Sequence, residues 1–258
     1  MTAAPPVLCY HRIGGQLELG VTRVSRHVFA RQMTALAQAG WRTLTLDAYA
    51  ASLGTTQHAP RSFLLTFDDG YGELDEHAYP LLADLGFTAV TFLITDFIGG
   101  TNAWDVQYTW NRLRHLDWSA IERWQGQGFQ FGSHGATHRR LTWLDDAAVT
   151  DDLARARATL TQRLGADAAR AIAYPFGATD PRVRRLAAAV GHDVGFSGVR
   201  GDGTALDQPR VPVYMWDALS VPLGFRDDAL GELGRVVAHA ANRCAVGTSW
   251  MLKVAGRA

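Results

Sequence analysis

The sequence predicts an α/β fold of parallel strands, arranged as a barrel or as a doubly wound sheet. Short apolar, β-branched runs alternate with helical patterns from one end of the chain to the other. The 258 residues suffice for one large domain. No linker, internal repeat or low-complexity tract divides them.

The strand candidates, in order, begin with "PVLCY" (6–10), "RTLTL" (42–46), "SFLLTF" (62–67) and "TAVTFLI" (88–94). They continue with "FQF" (129–131), "AIAY" (171–174), "DVGF" (193–196) and "RVPVYM" (210–215). Amphipathic stretches fill the gaps. Residues 26–38 place Phe29, Met33 and Leu36 on one face, with Gly40 just beyond. Residues 145–164 repeat Val149, Leu153, Leu160 and Leu164 at helical spacing and stop at Gly165. A third helix opens at Asp180-Pro181, a cap followed by a first-turn proline, and closes at Gly191. The stretch 96–117 has no clear period and reads as an elaborated loop, and loops of that length are usually functional.

Composition narrows the function. Hydrophobic residues at 47% and charged residues at 19% describe a soluble globular chain with ample core material. The 25 basic and 25 acidic residues cancel, which removes the electrostatic case for a nucleic-acid partner. No apolar run approaches the length of a membrane span. The opening "MTAAPPVLCYHRIG" has neither a basic region nor a long apolar one, so no secretory signal is expected and a cytoplasmic location is the default. Cys9 and Cys244, at opposite ends of the chain, read as packed thiols and not as a metal knuckle or a disulfide.

A parallel barrel presents catalytic groups at the C-terminal ends of its strands, so the residues following each strand are the candidate site. His11 follows "VLCY", Asp68 and Asp69 follow "LLTF", and His134 follows "FQFGS" with His138 four residues on. Phe176 and Gly177 follow "AIAYP", and Arg210 opens "RVPVYM". On one helical turn the i, i+4 spacing puts His134 and His138 on the same face, close enough to share a metal. A carboxylate would complete a His₂Asp set with an open position for water, the arrangement of catalytic zinc. Asp68-Asp69 is the acidic pair at a strand end. One can bind the ion while its neighbour accepts a proton from water, and the cation offsets their mutual repulsion.

"TFDDGY", then "SHGATH", then "YPFG" resembles the carbohydrate esterase family 4 polysaccharide deacetylases, the NodB homology domain. The resemblance covers roughly residues 5–215 and leaves a helical extension over 216–258. It implies a distorted (β/α)7-8 barrel and metal-dependent removal of N-acetyl groups from amino sugars. By position, Asp68 resembles the catalytic base, and Asp69, His134 and His138 resemble the ligands of a divalent metal, zinc before cobalt or nickel. In "AYPFG" the backbone N–H of Phe176 would help hold the oxyanion, with Tyr174 beside it in the substrate-binding motif. Two family features are missing. An arginine expected two residues before the motif's proline is Ala173, and no Leu-x-His motif closes the chain. Both gaps are similar to the PgaB and IcaB branch of exopolysaccharide synthesis, where an N-terminal "YH" motif brings the acid and a "PRVPV" arginine replaces the missing one. That implies His11 as the acid and Arg210 beside Asp68.

Other residues have plainer readings. His77, His115, His192 and His239 have no partner at ligand spacing and read as surface or structural. Trp118, Trp124 and Trp143 read as packing residues, and the arginines of "RARATLTQR" (155–163) as a solvated helix face. Trp104, on the long loop, is a candidate to stack on a sugar ring, and Tyr71 to line the cleft or cover the rim. The expected function is an N-deacetylase acting on an N-acetylated amino sugar, polymeric, lipid-linked or small. The alternatives are an amidohydrolase of the same superfamily acting on a non-sugar amide or a formamide, and a carbohydrate-binding relative without turnover. A base beside a metal set argues against the last, since a binding module has no use for one.

Overall fold

The structure, a computed structural model, describes residues 4–15, 21–55, 59–104 and 112–217. The expected extension past Asp217, with His239 and Cys244, and part of the long loop (105–111) lie outside the described residues. The chain begins with β1 (Val7–Tyr10), β2 (Arg12–Ile13), β3 (Arg23–Val24), α1 (Arg26–Gln38), β4 (Arg42–Thr43) and α2 (Leu46–Ser52). It continues with β5 (Ser62–Phe67), α3 (Glu73–His77), α4 (Tyr79–Asp84), β6 (Val90–Leu93), α5 (Trp118–Gln125) and β7 (Gln130–Ser133). Then follow α6 (Asp146–Leu164), β8 (Ala171–Ala173), α7 (Pro181–Val190), β9 (Val194–Phe196) and β10 (Val211–Pro212).

The main sheet runs β10-β1-β5-β6-β7-β8-β9, with β4 also on β5, and every strand pairing is parallel. One segment brings the two edges of this sheet together. Gln208 N donates to Gly195 O and Ser197 N donates to Gln208 O along β9, and Val211 then pairs with Leu8 of β1. The sheet is therefore curled into a distorted (β/α) barrel, and the doubly wound alternative is set aside. Among the described residues no helix is long and apolar enough to cross a membrane.

Helix ends follow the sequence closely. Ser25, Asp145 and Asp180 each accept from the backbone N–H three residues on, which starts α1, α6 and α7. Gly191, left-handed at φ +106°, ends α7 as its position predicts. Two strands keep only two residues of the apolar runs that announced them. "RTLTL" pairs only over Arg42–Thr43, because the Thr45 hydroxyl accepts from Ala48 N and turns Leu46 into the first residue of α2. "RVPVYM" pairs only over Val211–Pro212. The small β2–β3 ribbon was not expected, since two residues carry no period.

Alternation along the strands decides which residues reach the barrel interior. Phe63, Leu65 and Phe67 of β5 pack outward with Phe29, Met33, Tyr79 and Leu82 of the helices. Leu64 joins Val7, Val90, Phe92, Ala171, Val194 and Phe196 in a second cluster inside the sheet. On β1, Leu8 and Tyr10 belong to the outer core and Val7 to the inner one. Continued past the strand ends, the inner parity falls on Cys9 and His11 of one strand and on Thr66 and Asp68 of the next.

Candidate active site

Register and parity together gather the first group of side chains. β1 and β5 pair Cys9 with Thr66 and Tyr10 with Phe67, so His11 and Asp68 come next, and Asp68 N donates to Tyr10 O at 2.9 Å. Asp68 Oδ2 lies 4.0 Å from His11 Nε2 and accepts from Cys9 Sγ at 3.6 Å. Arg210 closes on Asp68 from the other side. Its Nη1 donates to Oδ1 and its Nη2 to Oδ2, both at 2.7 Å, while its Nε donates to Ser197 O at 3.1 Å. A two-pronged guanidinium–carboxylate pair is among the strongest hydrogen-bonded contacts available to a protein. Burial alone would raise the Asp68 carboxyl; Arg210, with His134 and His11, outweighs it and holds the group well below the ordinary carboxylate range.

Asp69, one residue on, faces elsewhere because the backbone turns. Asp69 is left-handed at φ +66° and Gly70 at φ +65°, and Gly70 N donates to Asp68 O at 2.8 Å. Glycine suits position 70, because its φ would strain an L side chain and a Cβ there would also force Leu93 Cδ2, 2.6 Å away, to shift. His134 leaves the end of β7 with its N donating to Leu93 O. Its ring Nδ1 lies 2.7 Å from Ala173 O and donates to it, which leaves the Nε2 lone pair aimed at Asp69 Oδ1, 3.5 Å away. His138 Nε2 lies 3.4 Å from the same oxygen.

The two histidines do not share a helical turn. Residues 134–140 form an irregular loop in which Gly135 (φ +76°) and His138 (φ +60°) are left-handed. Asp152, buried on α6, shapes that loop by accepting from Ala136 N, Thr137 N and the Thr137 hydroxyl. The pair that the i, i+4 spacing singles out does converge on Asp69, but through a left-handed loop and not through a shared helical turn.

The donors of this second group fit a divalent cation. Asp69 Oδ1 is buried and has no hydrogen-bond partner among the described residues. Two imidazole nitrogens surround it, and all three ligand atoms lie within 4.8 Å of one another. Tetrahedral zinc, with bonds of roughly 2.0–2.2 Å to nitrogen and oxygen, sets such donors about 3.4 Å apart. The observed 3.4 and 3.5 Å match. Burial drives His138 down to about 3, so its ring is neutral and able to coordinate. Burial would lower His134 too, but Asp68 and Asp69 outweigh it and push the group up, a sign that this position attracts positive charge.

The walls depart from expectation. Trp104 is not an exposed platform: it is 9% exposed, and its ring centroid sits 3.9 Å from that of His138. Its Nε1 donates to His115 Nε2 at 3.0 Å, which leaves the His115 proton on Nδ1, facing Asp69 O at 2.8 Å. His115, read as a residue without a site role, therefore backs a candidate ligand directly. Tyr71 is buried and stacks on His115 with ring centroids 5.2 Å apart, so it forms wall and not rim. Tyr174 is fully buried and packs with Leu141, Val149 and Val183 under α6 and α7, which removes its side chain from the cleft. Phe176 stays at the site, left-handed at φ +61°, with its ring 4.7 Å from that of His138. Arg12, buried with a forked pair to Glu73 and stacked over Tyr71, completes a support that no sequence spacing announces.

A family model described as polysaccharide deacetylase matches residues 55–195. The YxkH protein of Bacillus subtilis is 28% identical over 193 residues, which span 74% of this chain and 63% of that protein. Among solved structures, IcaB from Ammonifex degensii is 25% identical with a TM-score of 0.69, covering 90% of this chain and 96% of that one. The Streptococcus pyogenes deacetylase PplD, solved with acetate, is 20% identical with a TM-score of 0.74 over 84% of this chain and 95% of its own, a likeness of fold.

Proposed function

From the premise that the chain belongs to the polysaccharide deacetylase family, hydrolases of amide bonds, we propose that it removes the acetyl group from an N-acetylated amino sugar of a polysaccharide. The observation that carries this reading is the division of the two adjacent aspartates. Asp69 Oδ1 lies within 3.5 Å of the Nε2 atoms of both His134 and His138, whereas Asp68 stands 4.0 Å from both His11 and His134 and is clamped by Arg210.

A divalent cation held by Asp69, His134 and His138, zinc before cobalt or nickel, would supply the charge that polarises the acetyl carbonyl and brings the pKa of water to about 7. Asp68 accepts the proton of the attacking water, and the Arg210 clamp keeps it anionic and oriented for that task. The Phe176 N–H, presented by the left-handed turn after β8, donates to the oxyanion of the tetrahedral intermediate. His11, whose side chain is 22% exposed and so reachable from the cleft, protonates the departing sugar nitrogen. The likeness to IcaB supports the resemblance to that branch, which implies drawing the acid from the N-terminal "YH" pair.

Acetate release from N-acetylglucosamine oligomers, compared between the metal-loaded protein and Asp68→Asn, tests this reading. Release by the first and a loss of at least about a hundredfold in the second is expected. Hydrolysis of simple non-sugar amides with no acetate from any N-acetyl sugar would move the assignment to the amidohydrolase alternative.

A further inference from the structure

Cys9 has no part in that reaction, yet it stands inside the same ring of strand ends. We infer that Cys9, His11 and Asp68 form a second, weaker site for a soft or borderline divalent cation, such as excess zinc or cadmium, and that filling it stops turnover. The binding part stands on geometry alone; the inhibition rests on the roles proposed above for Asp68 and His11.

The ligand atoms of the three residues lie within 4.8 Å of one another, and they offer sulfur, nitrogen and oxygen. For tetrahedral zinc, a thiolate at roughly 2.3 Å and a carboxylate oxygen at roughly 2.1 Å stand about 3.6 Å apart. Cys9 Sγ and Asp68 Oδ2 are 3.6 Å apart. His11 Nε2, 4.0 Å from Oδ2, must close by about half an ångström to reach the separation such bonds impose. It is the ligand best able to do so, because its ring is partly exposed and its Nδ1 has no hydrogen-bond partner among the described residues. The exposed edge of His11 also gives an ion its way in.

The same surroundings explain why this site is the weaker one. Arg210 occupies a lone pair on each oxygen of Asp68, and its positive charge opposes a cation there. Asp69, His134 and His138 have no such neighbour on their shared oxygen. Coordination also displaces the thiol proton to solvent, and burial holds that proton tightly. The thiolate selects the ion: cadmium and zinc suit it, and magnesium or calcium do not. Once filled, the site ties up both the proton acceptor and the proton donor of the proposed reaction.

Titration of the metal-free protein with cobalt tests the site without any turnover. The first equivalent fills Asp69, His134 and His138, which contain no sulfur. The second is expected to raise a thiolate-to-cobalt charge-transfer band in the near ultraviolet and to release a proton. Cys9→Ser, which nearly conserves shape, and Cys9→Ala should both lose the band while still binding the first equivalent, and Cys244→Ser should keep it. The fraction of acetate-releasing activity that survives a several-fold excess of zinc should rise in Cys9→Ser, since a hydroxyl is a far poorer zinc ligand than a thiolate. Absence of the band in the unaltered protein, or its persistence in both Cys9 variants, would overturn the site. A band at the second equivalent with undiminished turnover would keep the site and overturn the roles of Asp68 and His11 instead.

Discussion

Replacing Arg210 by methionine removes one half of a pair whose side chains are each only 4% exposed. Two charge-assisted hydrogen bonds of 2.7 Å vanish, and the Asp68 carboxylate is left buried without its main counter-charge. Breaking one partner of a buried pair costs about 3–5 kcal/mol. At roughly 2 °C of melting temperature per kcal/mol for a chain of this size, the expected drop is about 6–10 °C. Activity should fall further than stability does. With Arg210 gone, burial is the dominant influence on Asp68 and raises its carboxyl toward the protonated form, which cannot accept a proton. The double variant D68N/R210M separates the two effects, because a neutral amide no longer needs the guanidinium. It should regain most of the lost melting temperature and none of the activity. Differential scanning calorimetry with an acetate-release assay on the single and double variants is the measurement. A single variant that melts within a degree of the unaltered protein and keeps its turnover would refute the reasoning.

His11→Gln should keep its metal and lose about 10²- to 10⁴-fold in turnover, the usual span for a proton donor, and metal analysis beside kinetics reads both. Asp152→Ala strips the acceptor from two backbone N–H groups under the His134–His138 loop, so metal affinity by calorimetry should fall about 10- to 100-fold. An unchanged affinity would show that the loop holds its own shape. His192 is buried, and burial, with Arg157 beside it, lowers its pKa from 6.5 to about 4. A histidine whose folded pKa is depressed contributes stability that is complete above about 6.5 and lost as the pH falls through about 4. That span is worth about 3 kcal/mol. Melting temperature followed from pH 7 to pH 4 should show a slope in the unaltered protein that His192→Gln makes shallower, with His138 contributing to the remainder, and equal slopes in the two would exclude His192 as a source.

What could be read from the sequence, and what could not, follows from range. Most of the apolar runs are legible because a central strand of a parallel barrel is buried along its whole length, as "SFLLTF" is, whereas the short strands under "RTLTL" and "RVPVYM" are not. Their ends were less visible: Thr45 is β-branched and looks like strand, but its hydroxyl caps a helix. The acids of "TFDDG" and the histidines of "SHGATH" stood out because strand ends gather polar groups. The left-handed backbone at Asp69 and His138 that aims them at each other has no such mark in the sequence. Asp152 left a faint trace as an acid on the apolar stripe that runs through Val149, Leu153 and Leu160. Cys9 looked like one more packed thiol, and only the pairing of Cys9 with Thr66 places it against Asp68. The places of Trp104 and His115 are not legible in the sequence for the opposite reason. Their loop has no period, and their burial arises from contacts with Asp69 and His138 across the chain.

The central claim is that two neighbouring carboxylates do different work, Asp69 holding the cation and Asp68 moving the proton. Metal content and acetate release measured side by side on Asp68→Asn and Asp69→Asn test it directly. Asp68→Asn should retain one equivalent of tightly bound metal with turnover lost, and Asp69→Asn should lose the tightly bound metal itself. If Asp68→Asn instead emptied the site, or if it turned over like the unaltered protein, the division of labour would be contradicted.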